Sequence, residues 1–203
     1  MSVNLQKGQK VDLRKSDGGQ LTRVLVGLGW DEAKSGKGIF GFLKSGSSHS
    51  VDCDASALLC KNGRITAMGD IVYFGNLTHD TGAVQHMGDN LTGSTGDSDD
   101  EQIEVNLAKV PANISKILFI VTIFDAKSRK QNFGQISNAF IRIFDKENSC
   151  ELLRYNLAEN FYTETGVICG ELYRSGSEWE FNAIGKGVNA SLWELRREYG
   201  EGF

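Results

Sequence analysis

The segment from Gly88 to Glu101 concentrates oxygen donors on a backbone that can bend sharply. It carries five carboxylates and one asparagine amide, and three glycines interrupt it. Carboxylates this close repel one another on folding unless a cation or full solvation compensates their charge. Oxygen donors on a flexible backbone are what a hard cation such as Ca²⁺ requires. The segment therefore predicts a calcium site, and its candidate ligands are Asp89, Asn90, Asp97, Asp99, Asp100 and Glu101.

The spacing of these acids indicates where their side chains point. On an extended backbone Asp97, Asp99 and Glu101 would share one side, with Asp100 opposite. That arrangement suits two neighbouring cations as well as one, and we expect two calcium ions. An EF-hand is excluded, because no start in this segment puts acidic donors, a glycine and a glutamate at the required positions. The alternative interpretation is an acidic turn that is simply solvated.

A second acidic element lies between Val51 and Ser56. On a strand, Asp52 and Asp54 project from the same face about 6–7 Å apart. Two carboxylates on one face of an otherwise apolar strand are disfavoured without a cation or hydrogen-bond donors, and either of these would stabilise the pair. Asp31 ends a further predicted strand. The predicted metal ligands therefore also include Asp31, Asp52 and Asp54.

The elements that must position these acids are mostly strands. Gln102 to Leu107 alternates apolar and polar residues directly after the acidic segment, which places the acids at the rim of a sheet. Lys116 to Asp125 is a continuous apolar run and predicts a central strand buried on both faces. Helices are expected at Ala190 to Tyr199 and within Ser128 to Asn138. Further strands are predicted at 21–30, 51–60, 70–77, 140–144, 150–155, 167–173 and 179–184.

This pattern predicts an all-β fold, an antiparallel β-sandwich with one or two short helices. A doubly wound α/β fold would need helices between the strands, and the sequence does not supply them. The chain has 203 residues, of which 40% are hydrophobic, so we expect a single domain over residues 1–203.

Charge and hydropathy exclude several classes of protein. The net charge of −4 provides no basic field that would attract nucleic acid. The N-terminal residues Met1 to Lys7 are too polar for a signal peptide. The longest apolar run, Ile117 to Phe124, is far too short to span a bilayer. We therefore expect a soluble cytoplasmic protein with no nucleic-acid partner and no membrane insertion.

The acidic segment, together with six others, resembles one known family. Gly-Asp-Asn-x-Thr-Gly followed by Gly-Asp-x-Asp-Asp-Glu is similar to the signature of the TerD family of tellurium-resistance and general-stress proteins. The resemblance covers almost the whole chain, from Val3 to Gly200. The other matching segments are LVGLGWD at 25–31, DCDASA at 52–57, VTIFDA at 121–126, FGQ at 133–135, AFIR at 139–142 and GELYR at 170–174.

The resemblance implies a β-sandwich that binds Ca²⁺ through acidic loops and has no established catalytic activity. We therefore expect a stress-response protein in which calcium rigidifies the rim and creates a surface for other stress-response proteins or for self-association. Three groups of residues match the family's acidic motifs: Asp89 with Asn90, Asp97 with Asp99, Asp100 and Glu101, and Asp52 with Asp54.

An enzymatic alternative remains open from the residues alone. The carboxylates could hold a divalent metal in an enzyme acting on a phosphorylated or nucleotide substrate, although no base, nucleophile or nucleotide-binding glycine motif accompanies them. His49, His79 and His86 are all expected at the surface, although His86 lies close enough to the acidic segment to tune it. The segment Glu32 to Ser50 is either a mobile surface loop or a loop that docks a partner.

The four cysteines form no C-x-x-C pair and are expected to be buried free thiols. Direct chemistry on tellurite by thiolates would need an accessible thiol and a resolving partner, so the pattern argues against it. The cysteines are Cys53, Cys60, Cys150 and Cys169.

Overall fold

The computed structural model describes residues 2–15, 18–32, 50–88, 98–157 and 161–200, and in these ranges twelve strands pair into two six-stranded sheets. In order across the first sheet, the strands are β1 (Val3–Leu5), β10 (Cys150–Asn156), β9 (Ile136–Asp145), β3 (Arg23–Glu32), β7 (Glu101–Asn106) and β6 (Val84–His86). In order across the second sheet, they are β2 (Lys10–Asp12), β12 (Glu178–Val188), β11 (Gly166–Ser175), β8 (Ile114–Ile123), β4 (Cys53–Lys61) and β5 (Ile71–Val72).

The two sheets pack face to face, so the predicted β-sandwich is confirmed. Neighbouring strands run antiparallel except β1 and β10, which are parallel. Alternate residues of β7 are buried, beginning with Glu101, and its apolar side chains Ile103 and Val105 enter the shared core. The core also takes Ala55 and Ala57 of β4, because these positions face the first sheet.

Helix α2 (Leu192–Tyr199) covers the outer face of the second sheet. Its buried residues Leu192 and Leu195 pack against Leu58 of β4 and Ile120 of β8. Strand β8 is therefore buried on both faces, as its apolar run predicts. The helix begins after Ser191, whose hydroxyl accepts the backbone N–H of Glu194 in a capping box.

Two sequence predictions about local structure are wrong in extent. The strand expected at 70–77 is limited to β5, because the chain turns back through reciprocal backbone hydrogen bonds between Tyr73 and Asn76. The short helix expected within 128–138 is α1 (Ala126–Arg129), which begins earlier and is followed by a 3-10 turn at Phe133–Gln135. Neither helix is long and apolar enough to cross a membrane.

A buried carboxylate, Asp70, organises the connection between β4 and β5. It accepts hydrogen bonds from Lys61 Nζ at 3.1 Å, from the backbone N–H of Thr66 at 3.1 Å and from that of Ala67 at 2.9 Å. The ring of His79 lies 3.5 Å away. The prediction that His79 lies at the surface is wrong, because the imidazole is 7% exposed and packs against this carboxylate.

We expect Asp70→Asn to lower the free energy of unfolding by about 2 kcal/mol at neutral pH, because buried donors lose a charged acceptor. Burial raises the pKa of the Asp70 carboxyl, but hydrogen bonds from Lys61 and Thr66 outweigh burial and hold that pKa below its ordinary value. The stabilisation is therefore complete above the unfolded-state pKa of about 3.9 and disappears as pH falls through the lower folded value.

Urea unfolding of both proteins at about pH 7 and about pH 3 measures this difference. Asp12→Asn, at an exposed position on β2, is the matched control and should leave stability unchanged. An equal loss for Asp70→Asn at both pH values would contradict the electrostatic explanation.

Candidate metal centre

Six of the predicted metal ligands lie at one end of the sandwich. This end is formed where β3 finishes, where β4 and β7 begin and where β8 finishes. Asp89, Asn90 and Asp97, and the segment 33–49, lie outside the described residues. We refer to the six described acids as the acidic rim: Asp31, Asp52, Asp54, Asp99, Asp100 and Glu101.

Glu101 joins the two sheets at this rim. Its Oε2 accepts the backbone N–H of Ala55 on β4 at 2.6 Å and faces Nε2 of His86 on β6 at 3.2 Å. The Nδ1 atom of His86 accepts the backbone N–H of Gly88. These partners assign the proton of the neutral imidazole to Nε2, which donates to the glutamate.

The prediction that His86 is an exposed residue is wrong. The residue is 2% exposed, and its ring connects the strand before the acidic segment to Glu101 after it. The sequence does contain a signal for this burial. Val84 and His86 are two residues apart on β6 with exposed Gln85 between them, so both point to the same buried face.

Asp100 directly precedes β7 and connects the start of that strand to the end of β3. Its Oδ2 accepts the backbone N–H of Trp30 at 2.7 Å, and its own backbone N–H donates to the carbonyl of Leu28 at 2.8 Å. The carboxylate is 2% exposed. Charge-assisted bonds of this kind are short and strong, so the orientation of Asp100 is set before any cation arrives.

Asp99 lies on the outer face of the first sheet, in an ion pair. Its Oδ1 accepts from Arg142 Nε at 2.7 Å, and its Oδ2 accepts from Gln102 Nε2 at 3.0 Å. Glu101 points to the opposite, inner face, towards Ala55. The predicted sharing of one side by Asp99 and Glu101 is therefore wrong, because the chain bends on either side of Asp99 before β7 begins.

Asp52 and Asp54 lie at the start of β4. Asp54 is 8% exposed and sits opposite Thr122 on β8. Asp52 is more exposed, and its Oδ2 lies 3.5 Å from Arg129 Nη1. Asp54 alternates with core residue Cys53, which places its side chain on the outer face of the second sheet.

Asp31 is held at the edge of the rim by the start of β9. Its Oδ2 accepts from Asn138 Nδ2 at 2.7 Å, and its carbonyl accepts from the hydroxyl of Ser137 at 3.4 Å. These contacts keep the carboxylate at the end of β3, at an intermediate level of burial.

The environment of Cys53 shows that the two predicted acidic elements meet. Burial raises the pKa of the Cys53 thiol well above its ordinary value, and the charges of Asp54, Glu101, Asp52 and Asp100 raise it further. Carboxylates from two separate sequence segments therefore act on one thiol, and the hydrogen bond from Ala55 to Glu101 joins these segments directly.

The described part of the chain does not contain three acidic, histidine or cysteine side chains grouped closely enough to hold a metal ion by themselves. Calcium takes six to eight oxygen ligands, so a site at this rim would draw further donors from 89–97. The carboxylates present fit a hard cation rather than a soft one, since the one nearby thiol is buried and protonated.

Gly27 leaves the space that Asp99 occupies. A Cβ at this position would overlap the Asp99 carboxylate. We expect Gly27→Ala to push Asp99 away from Arg142 and to lower the free energy of unfolding by about 1–3 kcal/mol, the usual cost of overpacking. Thermal or urea unfolding measures the loss. In an Asp99→Ala background the penalty should largely disappear, and an undiminished penalty there would contradict this explanation.

The cysteines provide a second test, because the structure buries Cys53, Cys60 and Cys169 but exposes Cys150. The expectation of burial is thus wrong for Cys150. Burial raises the pKa of Cys60 to about 11 and that of Cys169 to about 12, so both are protonated at neutral pH. We expect Ellman's reagent to titrate one thiol in the native protein and all four in denaturant. Cys150→Ser should abolish the native reaction, and rapid labelling of that variant would contradict the assignment.

Comparisons with known proteins agree with this architecture. A family model described as the TerD domain matches residues 1–199. The chain is 51% identical to the stress response protein SCP2 of Bacillus subtilis, over 96% of each chain. It is 44% identical to the tellurium resistance protein TerD of Serratia marcescens, over 98% of each chain.

A solved structure shares the fold. It is described as a homologue of the telluride resistance protein TerD from Streptomyces coelicolor, with a TM-score of 0.62 and 19% sequence identity. The match covers 87% of this chain and 95% of that one. The whole-chain family match and the two relatives show that the chain belongs to the TerD domain family of tellurium-resistance and stress-response proteins.

Proposed function

We propose that this protein is a non-catalytic calcium-binding module of the stress-response type. The observation that supports this most directly is that carboxylates of both sheets lie at one end of the sandwich, where Glu101 accepts the backbone N–H of Ala55, the residue after Asp54. The acids concerned are Asp52, Asp54, Asp100 and Glu101. Asp52 and Asp54 lie at the start of β4 in the second sheet, and Asp100 and Glu101 lie at the start of β7 in the first. A divalent cation at this rim would offset their mutual repulsion and link the two sheets.

The acidic rim favours a bound cation because its carboxylates are oriented in advance. Backbone N–H groups of Trp30 and Ala55 hold one oxygen each of Asp100 and Glu101. A carboxylate has two oxygens with several lone pairs, so an oxygen that accepts an N–H can still contribute to a cation site. Preorganised donors reduce the entropic cost of binding. We propose two Ca²⁺ ions, completed by donors of the segment 89–97.

Calcium would act structurally in this proposal. It would neutralise the acids, rigidify the rim and so shape a surface for other stress-response proteins or for a second copy of the chain. The relatives are named for stress response and tellurium resistance, which supports a role in the stress response. A net charge of −4 gives no support for a nucleic-acid partner.

Thermal unfolding in EDTA, then with Ca²⁺ or Mg²⁺, tests the proposal. At calcium about a hundredfold above Kd, we expect the free energy of unfolding to rise by about 2.7 kcal/mol per independent site. Mg²⁺ should do much less, because it demands a tighter octahedral shell. Fluorescence of Trp30 is a local readout, since its backbone N–H binds Asp100. Absence of a calcium shift would refute the proposal.

Variants identify the ligands. Asp54→Asn and Glu101→Gln keep the side-chain shape and should each remove most of the calcium-induced shift, whatever they do to the stability of the calcium-free protein. Asp12→Asn at the far edge of the second sheet is the matched control and should keep the full shift. If Asp54→Asn and Glu101→Gln also keep it, calcium binds elsewhere.

A further inference from the structure

Three half-exposed aromatic side chains lie together beside the acidic rim. Phe74 follows β5, Phe124 follows β8 and Trp193 lies on α2, and they are 47%, 44% and 44% exposed. Tyr73 connects them through edge-to-face contacts, with centroid distances of 5.2 Å to Phe74 and 5.5 Å to Trp193. Phe74 is 6.3 Å from Phe124. We call these four residues the aromatic patch.

The patch differs from the other exposed apolar side chains. Tyr162, for example, is 70% exposed and takes part in none of the ring contacts found among the described residues. Single exposed apolar residues are normal on a protein surface, whereas contiguous ones mark interaction sites. The patch residues come from three separate parts of the chain, after β5, after β8 and on α2, and the fold brings them together in one surface.

Polar groups lie beneath the rings. Because Ala57 pairs with Val72, Ser56 is the next residue opposite Tyr73, and both point to the outer face. The hydroxyl of Ser56 is buried and has no hydrogen-bond partner within the described residues. Asp54 lies two residues along β4 on the same face. A ligand entering beside Tyr73 would approach the unsatisfied hydroxyl of Ser56.

One cation already lies at the border of the patch. The guanidinium of Arg129 lies over the ring of Phe124, 5.0 Å from its centroid, and 3.5 Å from the carboxylate of Asp52. The backbone N–H of Phe124 donates to the carbonyl of Asp52 at 2.7 Å, which joins the patch to the rim. A ring face beside a carboxylate is the arrangement that recognises lysine and arginine.

We propose that the aromatic patch is the docking surface for a partner protein, through a segment that presents a lysine or arginine next to an apolar side chain. The apolar side chain covers Phe74 and Trp193. The cation lies against an aromatic ring near Asp52 and Asp54. The carboxylates of the acidic rim make this border negative, which favours a basic segment over an acidic one. The inference rests on the proposed function in assigning its partner surface. Because Asp52 and Asp54 are also candidate calcium ligands, docking is tested in the calcium-free protein.

The test uses the three tryptophan indole N–H signals of the full-length ¹⁵N-labelled protein. The probe is the capped tripeptide Leu-Arg-Leu, compared with capped Leu-Glu-Leu and Ser-Arg-Ser. We expect Leu-Arg-Leu to shift the signal of Trp193 and not that of buried Trp179. The other two peptides should bind at least about tenfold more weakly, because each lacks one of the two contacts. Equal shifts with Leu-Glu-Leu, or none with Leu-Arg-Leu, would overturn the proposal.

Variants separate docking from folding. Phe74→Ala and Phe124→Ala should each weaken Leu-Arg-Leu binding by about tenfold, whereas Tyr162→Ala, the matched exposed aromatic, should not change it. Arg129→Gln should strengthen binding, because it removes the internal cation that competes for Phe124 and Asp52. A purely structural role for Arg129 predicts weaker binding instead.

The calcium shift, measured on the same variants, distinguishes the two proposals. A calcium shift that persists in Phe74→Ala while peptide binding fails in every protein would reject docking alone. Peptide binding without any calcium shift would reject the calcium function alone. A shift of Trp193 that follows protein concentration without peptide, together with a dimer mass in sedimentation, would show that a second copy covers the patch and would overturn the partner assignment.

Discussion

The geometry of the acidic rim depends on the hydrogen bonds made by the buried carboxylate of Glu101. Glu101 is the first residue of β7 in the first sheet, yet its Oε2 accepts a hydrogen bond from the backbone N–H of Ala55 in the second sheet. The ring of His86 holds the same oxygen from β6. A charge buried between two sheets is costly unless it is hydrogen-bonded, so these donors and this carboxylate must be in place together. The point at which the acidic segment rejoins the sheet is therefore fixed relative to both sheets.

The position of Glu101 also limits where the two preceding acids, Asp99 and Asp100, can lie. Asp100 turns towards the end of β3 and binds the backbone of Trp30, while Asp99 turns outward to Arg142. Arg142 is itself held between the rings of Phe140 and Phe144. Each acid is thus oriented by a donor on a different strand. A rim organised in this way presents negative charge in fixed places.

The acidic rim and the aromatic patch meet at Asp52. Its carbonyl accepts a hydrogen bond from Phe124, and its carboxylate lies near Arg129, which covers the ring of Phe124. A cation bound by the Asp52 carboxylate would weaken the ion pair between Asp52 and Arg129 and so change access to the ring of Phe124. One short stretch of β4 therefore gives a physical route by which metal binding and partner docking would influence each other.

Local patterns were sufficient to predict the fold and to place the acids at one rim, but not to assign their partners. The alternation from Gln102 to Leu107 and the apolar run from Lys116 to Asp125 correspond to β7 and β8, because side-chain period follows directly from strand geometry. The acids were found because their density needs compensation wherever they lie. The prediction places both His79 and His86 at the surface because it does not include the carboxylates that these rings contact in the fold, although the alternation of β6 indicates burial for His86. Asp99 and Glu101 point to opposite faces rather than to the same one, because the chain bends on either side of Asp99 and the two-residue period holds only for an extended backbone.

The sequence by itself determined an all-β sandwich, the family, and a set of acids at the ends of strands. These follow from composition, periodicity and short motifs, which are local properties of the chain. Only the tertiary structure decided that Glu101 binds the backbone of Ala55, that Arg142 pairs with Asp99, and that Phe74, Phe124 and Trp193 form one patch. These residues lie far apart along the chain, and the order of the strands together with the packing of α2 on the second sheet sets which of them become neighbours.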